Sequence, residues 1–191
     1  MELHRFLMQS HTLGAGTDAK RLAVEWTPSF VKKGACLAHQ GAPEASEYIV
    51  LEGRVASRIL DPEGRAVCVG LYSGPCVITP NVARTGEGIS RVSLEAMSDT
   101  LVMQMPSQRL INLMLASEPI REWANGVLRE ELGRKADREW CLAALGGSDR
   151  LAWFRSSYPA YEELFNHSYI ASYLGITPVT LSRLRKASES K

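Results

Sequence analysis

Apolar residues recur in two rhythms along this chain. From about Val31 to Met105 they come in brief runs rich in β-branched and aromatic types, Tyr48–Leu51, Arg54–Leu60, Ala66–Tyr72 and Thr100–Met105, which predicts short strands. Glycine and proline at close intervals bound these runs: Gly34, Gly41, Pro43, Gly53, Pro62, Gly64, Gly70, Gly74, Pro75 and Pro80. Asp61-Pro-Glu-Gly64 predicts a hairpin turn, with proline presetting φ and glycine closing it. Strands this short and this closely spaced suit an antiparallel sandwich or roll better than a parallel sheet.

After Pro106 the spacing lengthens to the helical three and four. Pro106–Leu115 reads as a short helix, and Ser117-Glu-Pro119 is a start signal for a longer one. Its stripe is Ile120, Trp123, Val127, Leu128, Leu132, Ala136, Trp140 and Ala143, interrupted only by Gly126 and running to about Leu145 before Gly146-Gly147. Such a stripe needs cover. Either the same helix of a second copy packs on it, as in a coiled coil, or Trp123 and Trp140 pack on the chain's own strands. Ser148–Arg155 and Pro159–Phe165 read as further short helices, with Leu151, Trp153, Phe154, Tyr161, Leu164 and Phe165 as a small aromatic core.

The segment Ser168–Lys186 reads as two helices hinged at Gly175. Ile170, Ala171, Leu174, Ile176, Leu181 and Leu184 keep helical spacing on either side of that glycine, so the two helices can share a core. Thr177-Pro178 predicts the second start: the hydroxyl caps free N–H groups, and proline at the first helical position loses nothing. With Leu181 and Leu184 inward, Val179, Ser182, Arg183 and Lys186 form the outer face. Arginine can donate twice to guanine, and a valine methyl can meet a thymine methyl. Thr177, Thr180, Arg185 and Lys186 suit phosphate contacts or the helix start that fixes register. From Asn166 onward Arg183, Arg185, Lys186 and Lys191 stand against Glu189, so the local excess is positive. The pattern points to double-stranded DNA; the competing reading is a solvated amphipathic helix.

Composition adds limits. The chain has 191 residues, 45% hydrophobic and 23% charged, with a net charge of +1, so any contact with DNA must be local rather than spread over the surface. Cys36, Cys68, Cys76 and Cys141 form no CxxC pair, and His4, His11, His39 and His167 are isolated. No metal site is therefore expected, and the thiols read as reduced. No apolar run suggests a membrane span, and Met1–Ser10 does not read as a signal peptide; a cytoplasmic location is expected.

The runs VKKGACLAHQG (31–41), EYIVLEGRV (47–55) and DPEGR (61–65), with Gly74, resemble the sensor roll of the Crp/Fnr regulators. IASYLGITP (170–178) and TLSRLR (180–185) resemble that family's helix-turn-helix, and the resemblance covers about residues 20 to 186. It implies an α+β fold: an N-terminal antiparallel β-roll like that of cyclic-nucleotide-binding proteins (1–108), a dimerisation helix region (109–146) and a C-terminal helix-turn-helix domain (147–191). It further implies a homodimer on two-fold DNA half-sites about 34 Å apart, and RNA polymerase as a partner.

The ligand cassette departs from the family pattern. Ile78 and Thr79 stand where cyclic-nucleotide-binding members carry Gly-Glu for the ribose; the phosphate arginine maps to Ser90, and Arg91 falls one residue late. Successive strand residues point to opposite faces, so Arg91 reaches the pocket only through a bulge or shifted register. Arg84, near Gly86 and Gly88, is a second candidate in a possible anion-cradling loop; otherwise both arginines are solvated surface residues. A cyclic nucleotide is thus a disfavoured ligand, and no cofactor is expected. Iron–sulfur sensing lacks an N-terminal cysteine cluster, and a haem ligand would have to be His39, in a turn. Val179 replaces the acidic residue common in family recognition helices, so base preference does not transfer. With about five residues after Lys186, the usual β-hairpin wing is expected to be absent or truncated. The leading expectation is a non-enzymatic DNA-binding transcription regulator with an unknown effector. The alternative is a small-molecule-binding module, with a cyclic nucleotide among its candidate ligands and a vestigial tail.

Overall fold

The structure, a computed structural model, describes residues 2–10, 13 and 16–189. Two short helices, α1 (Leu3–Gln9) and α2 (Thr17–Ala23), lead into the strands β1 (Thr27–Val31), β2 (Cys36–Ala38), β3 (Ser46–Glu52), β4 (Arg54–Leu60), β5 (Ala66–Ser73) and β6 (Cys76–Val77). A single turn, α3 (Asn81–Arg84), precedes β7 (Thr85–Gly86), β8 (Ile89–Ser90), β9 (Ser93–Ala96) and β10 (Thr100–Pro106). The remainder is helical: α4 (Ser107–Ala116), α5 (Glu118–Ala144), α6 (Gly147–Ser157), α7 (Tyr161–Leu164), α8 (His167–Tyr173) and α9 (Pro178–Glu189).

Two four-stranded antiparallel sheets, in the orders β1-β10-β3-β6 and β2-β9-β4-β5, face each other, with β7-β8 as a separate small hairpin. Tyr48, Val50 and Val102 of one sheet meet Val55, Leu94 and Tyr72 of the other, with Ile78 between them. The outer faces are buried as well. Ile49, Leu51, Met103 and Met105 pack against the helices through Ile120 and Trp123, while Ala56, Cys68 and Leu71 join the core of the C-terminal helices. Burial on both faces is why β3 reads as a continuous apolar run instead of alternating. Between β3 and β4, Gly53 takes φ 91°, and a Cβ there would lie 2.6 Å from the Asp99 carbonyl oxygen, so no other residue fits.

The long helix begins as its sequence predicts, with Ser117 Oγ accepting from Ile120 N–H at 3.3 Å and Pro119 in the first turn. Gly147 is the first residue of α6 and not part of the terminator of α5; Leu145, the C-cap of α5, is followed directly by Gly146, the N-cap of α6. The two tryptophans of the stripe part company. Ile120, Trp123 and Val127 are buried against the roll, and Trp123 Nε1 donates to Ser10 Oγ at 3.0 Å. Further along, Glu131 and Cys141 face the protein, whereas Leu132 and Trp140 stay 68% and 57% exposed. Over its second half α5 therefore buries one carboxylate, Glu131, and leaves Leu132 and Trp140 outside among the exposed Lys135, Asp137 and Glu139.

The C-terminal helices do not form a core of their own. Leu151, Phe154, Phe165, Ile170, Leu174 and Leu181 share one cluster with Ala56, Cys68 and Leu71 of the roll. β5 is the edge of its sheet, and the Cys68 N–H there donates to Ser172 Oγ at 2.9 Å, so α8 satisfies a strand edge that would otherwise need a partner.

Candidate nucleic-acid interface and sensor pocket

The turn between α8 and α9 is built by three local devices. Gly175 adopts φ 63°, which reverses the chain without a Cβ penalty. Thr177 Oγ1 accepts from Thr180 N–H at 3.1 Å and caps α9. Ile170, Ala171, Leu174 and Leu181 are fully buried, and Leu184 packs beside them. Arg150, one turn into α6, ties this unit to the long helix. Its guanidinium donates to Leu142 O at 2.8 Å, Leu145 O at 2.9 Å and Leu174 O at 3.1 Å, so one side chain joins the ends of α5 and α8. Nothing in the sequence rhythm singles out Arg150; its role depends on two helix ends meeting in space.

The expected outer face of α9 is on the surface. Thr177, Val179, Ser182, Arg183 and Lys186 are exposed, and Thr180 is half-buried because its hydroxyl lies 2.9 Å from that of Thr177. Arg185 differs from the others. It is half-buried, pairs with Glu162 at 3.3 Å and meets the His167 ring, which clamps α9 to α7 and α8. Glu162 also pairs with Arg155.

In the roll, the structure overturns the expectation of a solvated Arg84. The side chain is buried, with its guanidinium 3.3 Å from Glu44 and 5.0 Å from the centre of the Tyr48 ring. It donates to the carbonyls of Thr79, at 3.1 Å, and Ser46. The following segment folds as a hairpin. Glu87 and Gly88 take φ 53° and 76° and close the tight β7–β8 hairpin, in which Thr85 pairs with Ser90 and Gly86 with Ile89. The strand register keeps Ser90 buried, its Oγ donating to Val92 O at 2.7 Å, and turns Arg91 outward across Gly86. The burial of Arg84 is not legible in the sequence, because Glu44, Ser46 and Tyr48 reach it from a distant part of the chain.

Thr79, in place of the family's acidic residue, is buried between the two halves of the molecule. Its hydroxyl lies 2.5 Å from Tyr72 OH and donates to the Glu131 carboxylate of α5. Burial pushes the Tyr72 phenol well above its ordinary range, with the Glu131 charge adding to the effect. Burial likewise pushes the Cys68 and Cys76 thiols up to about 12, which disfavours the reactive thiolate of each. Glu47 accepts from Asn81 N–H at 2.9 Å, and burial holds its carboxyl above the usual range despite that bond and the Arg84 charge. No group of three His, Cys, Asp or Glu side chains able to hold a metal occurs among the described residues. No helix among them is long and apolar enough to cross a membrane.

A two-sheet roll of this topology is the fold of cyclic-nucleotide-binding domains, here joined through a long helix to a glycine-hinged helix pair. Residues 28–117 match the family model of the cyclic nucleotide-binding domain, and the chain as a whole has the Crp/Fnr-type fold. FixK2 from Bradyrhizobium japonicum superposes with a TM-score of 0.73 at 21% identity, over 86% of this chain and 85% of that one. The c-di-GMP responsive global regulator CLP of Xanthomonas campestris gives 0.69 at 14% identity, over 91% of each chain. The catabolite activator protein of Thermus thermophilus gives 0.59 at 18% identity, over 96% of this chain and 86% of that one. No curated protein sequence matches the chain.

Proposed function

We propose that this chain is a homodimeric, sequence-specific regulator of transcription, with α9 residues 178–186 in the major groove and α5 against its two-fold mate. The observation that carries this reading is the surface of α9, where Val179, Ser182, Arg183 and Lys186 stand exposed on a helix capped by Thr177 and buttressed by Arg150. Arg183 suits a guanine edge, Val179 a thymine methyl, and Thr177, Thr180 and Lys186 the phosphates. Arg185 serves mainly to hold the helix in place through Glu162. The exposed Leu132 and Trp140 support the dimer, because large apolar side chains left on the outer face of a long helix are unfavourable in water unless covered.

Residues 1–108 act as the sensor, 109–146 as the dimerisation region and 147–191 as the DNA-binding unit. The roll interior is not the place for a cyclic phosphate. Its buried arginine is already paired with Glu44, Arg91 points outward, and burying an anion without a free guanidinium is unfavourable.

The test is selection of bound fragments from a random DNA pool at several salt concentrations. A two-fold-symmetric motif with a steep salt slope supports the regulator; no enrichment, or binding indifferent to Arg183, overturns it.

A further inference from the structure

A cleft of about 580 Å³ opens where the roll, α5 and the C-terminal helices meet. It is walled from the roll interior by the Tyr72–Thr79–Glu131 hydrogen bonds, so it is separate from the space that Arg84 fills. We propose that this cleft binds a small planar aromatic anion of single negative charge, such as an aromatic carboxylate or sulfonate.

The charge follows from its walls. Arg134, Lys135 and Arg138 line it together with Glu131 and Glu139. Glu131 pairs with both Arg134 and Lys135, the latter at 3.2 Å. Arg138 directs its hydrogen bonds to the carbonyls of Tyr173, at 3.1 Å, and Cys68, at 3.3 Å, which are neutral acceptors. Three cations against two carboxylates leave one positive charge for a ligand.

The aromatic preference follows from the tyrosines. The Arg134 guanidinium lies 5.8 Å from the centre of the Tyr72 ring, and that of Arg138 lies 4.6 Å from the Tyr173 ring. Tyr158 and Tyr173 meet edge to face, with their hydroxyls 2.9 Å apart. One phenolic proton is used between them and the second remains to donate to an anion. Flat rings beside fixed guanidinium planes favour a flat ligand with its charge at one end. The volume lies in the range of small-molecule sites. Because Tyr158 and Tyr173 belong to the helices that carry α9, occupancy stiffens the joint between sensor and DNA reader. Binding itself does not depend on the DNA reading.

The probe is anilinonaphthalene sulfonate, followed by its fluorescence on the full chain, with neutral phenylnaphthylamine as the uncharged counterpart. One sulfonate per chain is expected, with the neutral molecule bound about tenfold more weakly, the equivalent of one charge-assisted hydrogen bond. Val69→Trp, which fills the cleft from β5 and leaves every charged side chain in the sequence unchanged, is expected to abolish binding. Arg138→Lys is expected to keep binding that Arg138→Gln loses. Circular dichroism of each variant reports folding, and if Arg138→Gln does not fold, Val69→Trp and the neutral analogue still decide. Equal binding of the neutral molecule, or sulfonate binding unchanged in folded Val69→Trp, overturns the proposal.

Discussion

Arg84 and Glu44 meet at 3.3 Å inside the β-roll, with side chains only 2% and 5% exposed. A charge pair at that depth holds together through its bonds to neighbours. Glu44 accepts from Ser46 N–H at 2.7 Å and from Tyr48 OH at 3.3 Å, while Arg84 donates to two backbone carbonyls. Removing one partner leaves the other buried and uncompensated. Arg84→Met is therefore expected to lower stability by about 3–5 kcal/mol, and Arg84→Met combined with Glu44→Gln to recover most of that loss. Urea unfolding of the two variants checks both statements, and a double variant as unstable as the single one would contradict them.

Arg183 and Lys186 are expected to behave differently although both are exposed on α9. Arg183→Ala should weaken binding to the selected site by about 1–3 kcal/mol and relax one base position. Lys186→Ala should weaken all sequences alike and flatten the salt dependence. Competition binding with single-base variants of the site separates the two behaviours.

Trp140→Glu and Leu132→Glu place a charge on the exposed stripe of α5, where the side chain has little internal packing to lose. Sedimentation should show a folded monomer in place of the dimer, with DNA affinity reduced in parallel. A wild-type chain already monomeric at micromolar concentration would remove the basis for this expectation.

Arg150 touches none of the proposed DNA-facing residues in the hydrogen bonds described, yet it fixes the end of α8 to the end of α5. Arg150→Gln should lower stability by about 2 kcal/mol and weaken DNA binding. Arg150→Lys should restore only part of the loss, because a single ammonium cannot serve carbonyls that a planar fork reaches together. Thermal melts and fluorescence anisotropy on labelled DNA give the two readouts.

The Glu47 carboxyl is held above its ordinary value by burial, so the folded chain binds its proton more tightly than the unfolded chain. The resulting stabilisation is complete below the unfolded value and lost as pH rises through the folded one. Glu47→Gln, whose amide oxygen can still accept from Asn81 N–H, should raise the melting temperature at about pH 8 and leave it little changed near pH 4. An increase of equal size at both pH values would show that the carboxylate charge is not the cause.

Much of the architecture was legible in the residues. The hairpin turn at Asp61–Gly64, the Ser117 and Thr177 caps, and the Gly175 hinge are local events, each governed by the φ preference or hydrogen-bonding reach of a few neighbouring residues, and each appears in the structure. The helices α1 and α2, the short strands such as β2 and β9, and the placement of Arg84 were not read from the sequence. Helices and strands this short carry too few periods to stand out, and the burial of a charge depends on partners elsewhere in the chain.

By itself, then, the sequence determined the longer strands and helices, their order from β3 onward and the exposed face of α9, because backbone preference and side-chain periodicity act over a few residues. The tertiary structure decided which charges go inside. It buried Arg84 beside Glu44, turned Arg91 outward, clamped Arg185 to Glu162, buried Glu131 on the inner side of α5 and fused the core of the C-terminal helices with the roll. Each of these outcomes depends on which surfaces meet, since a charged side chain is stable in the interior only where the fold brings it a partner.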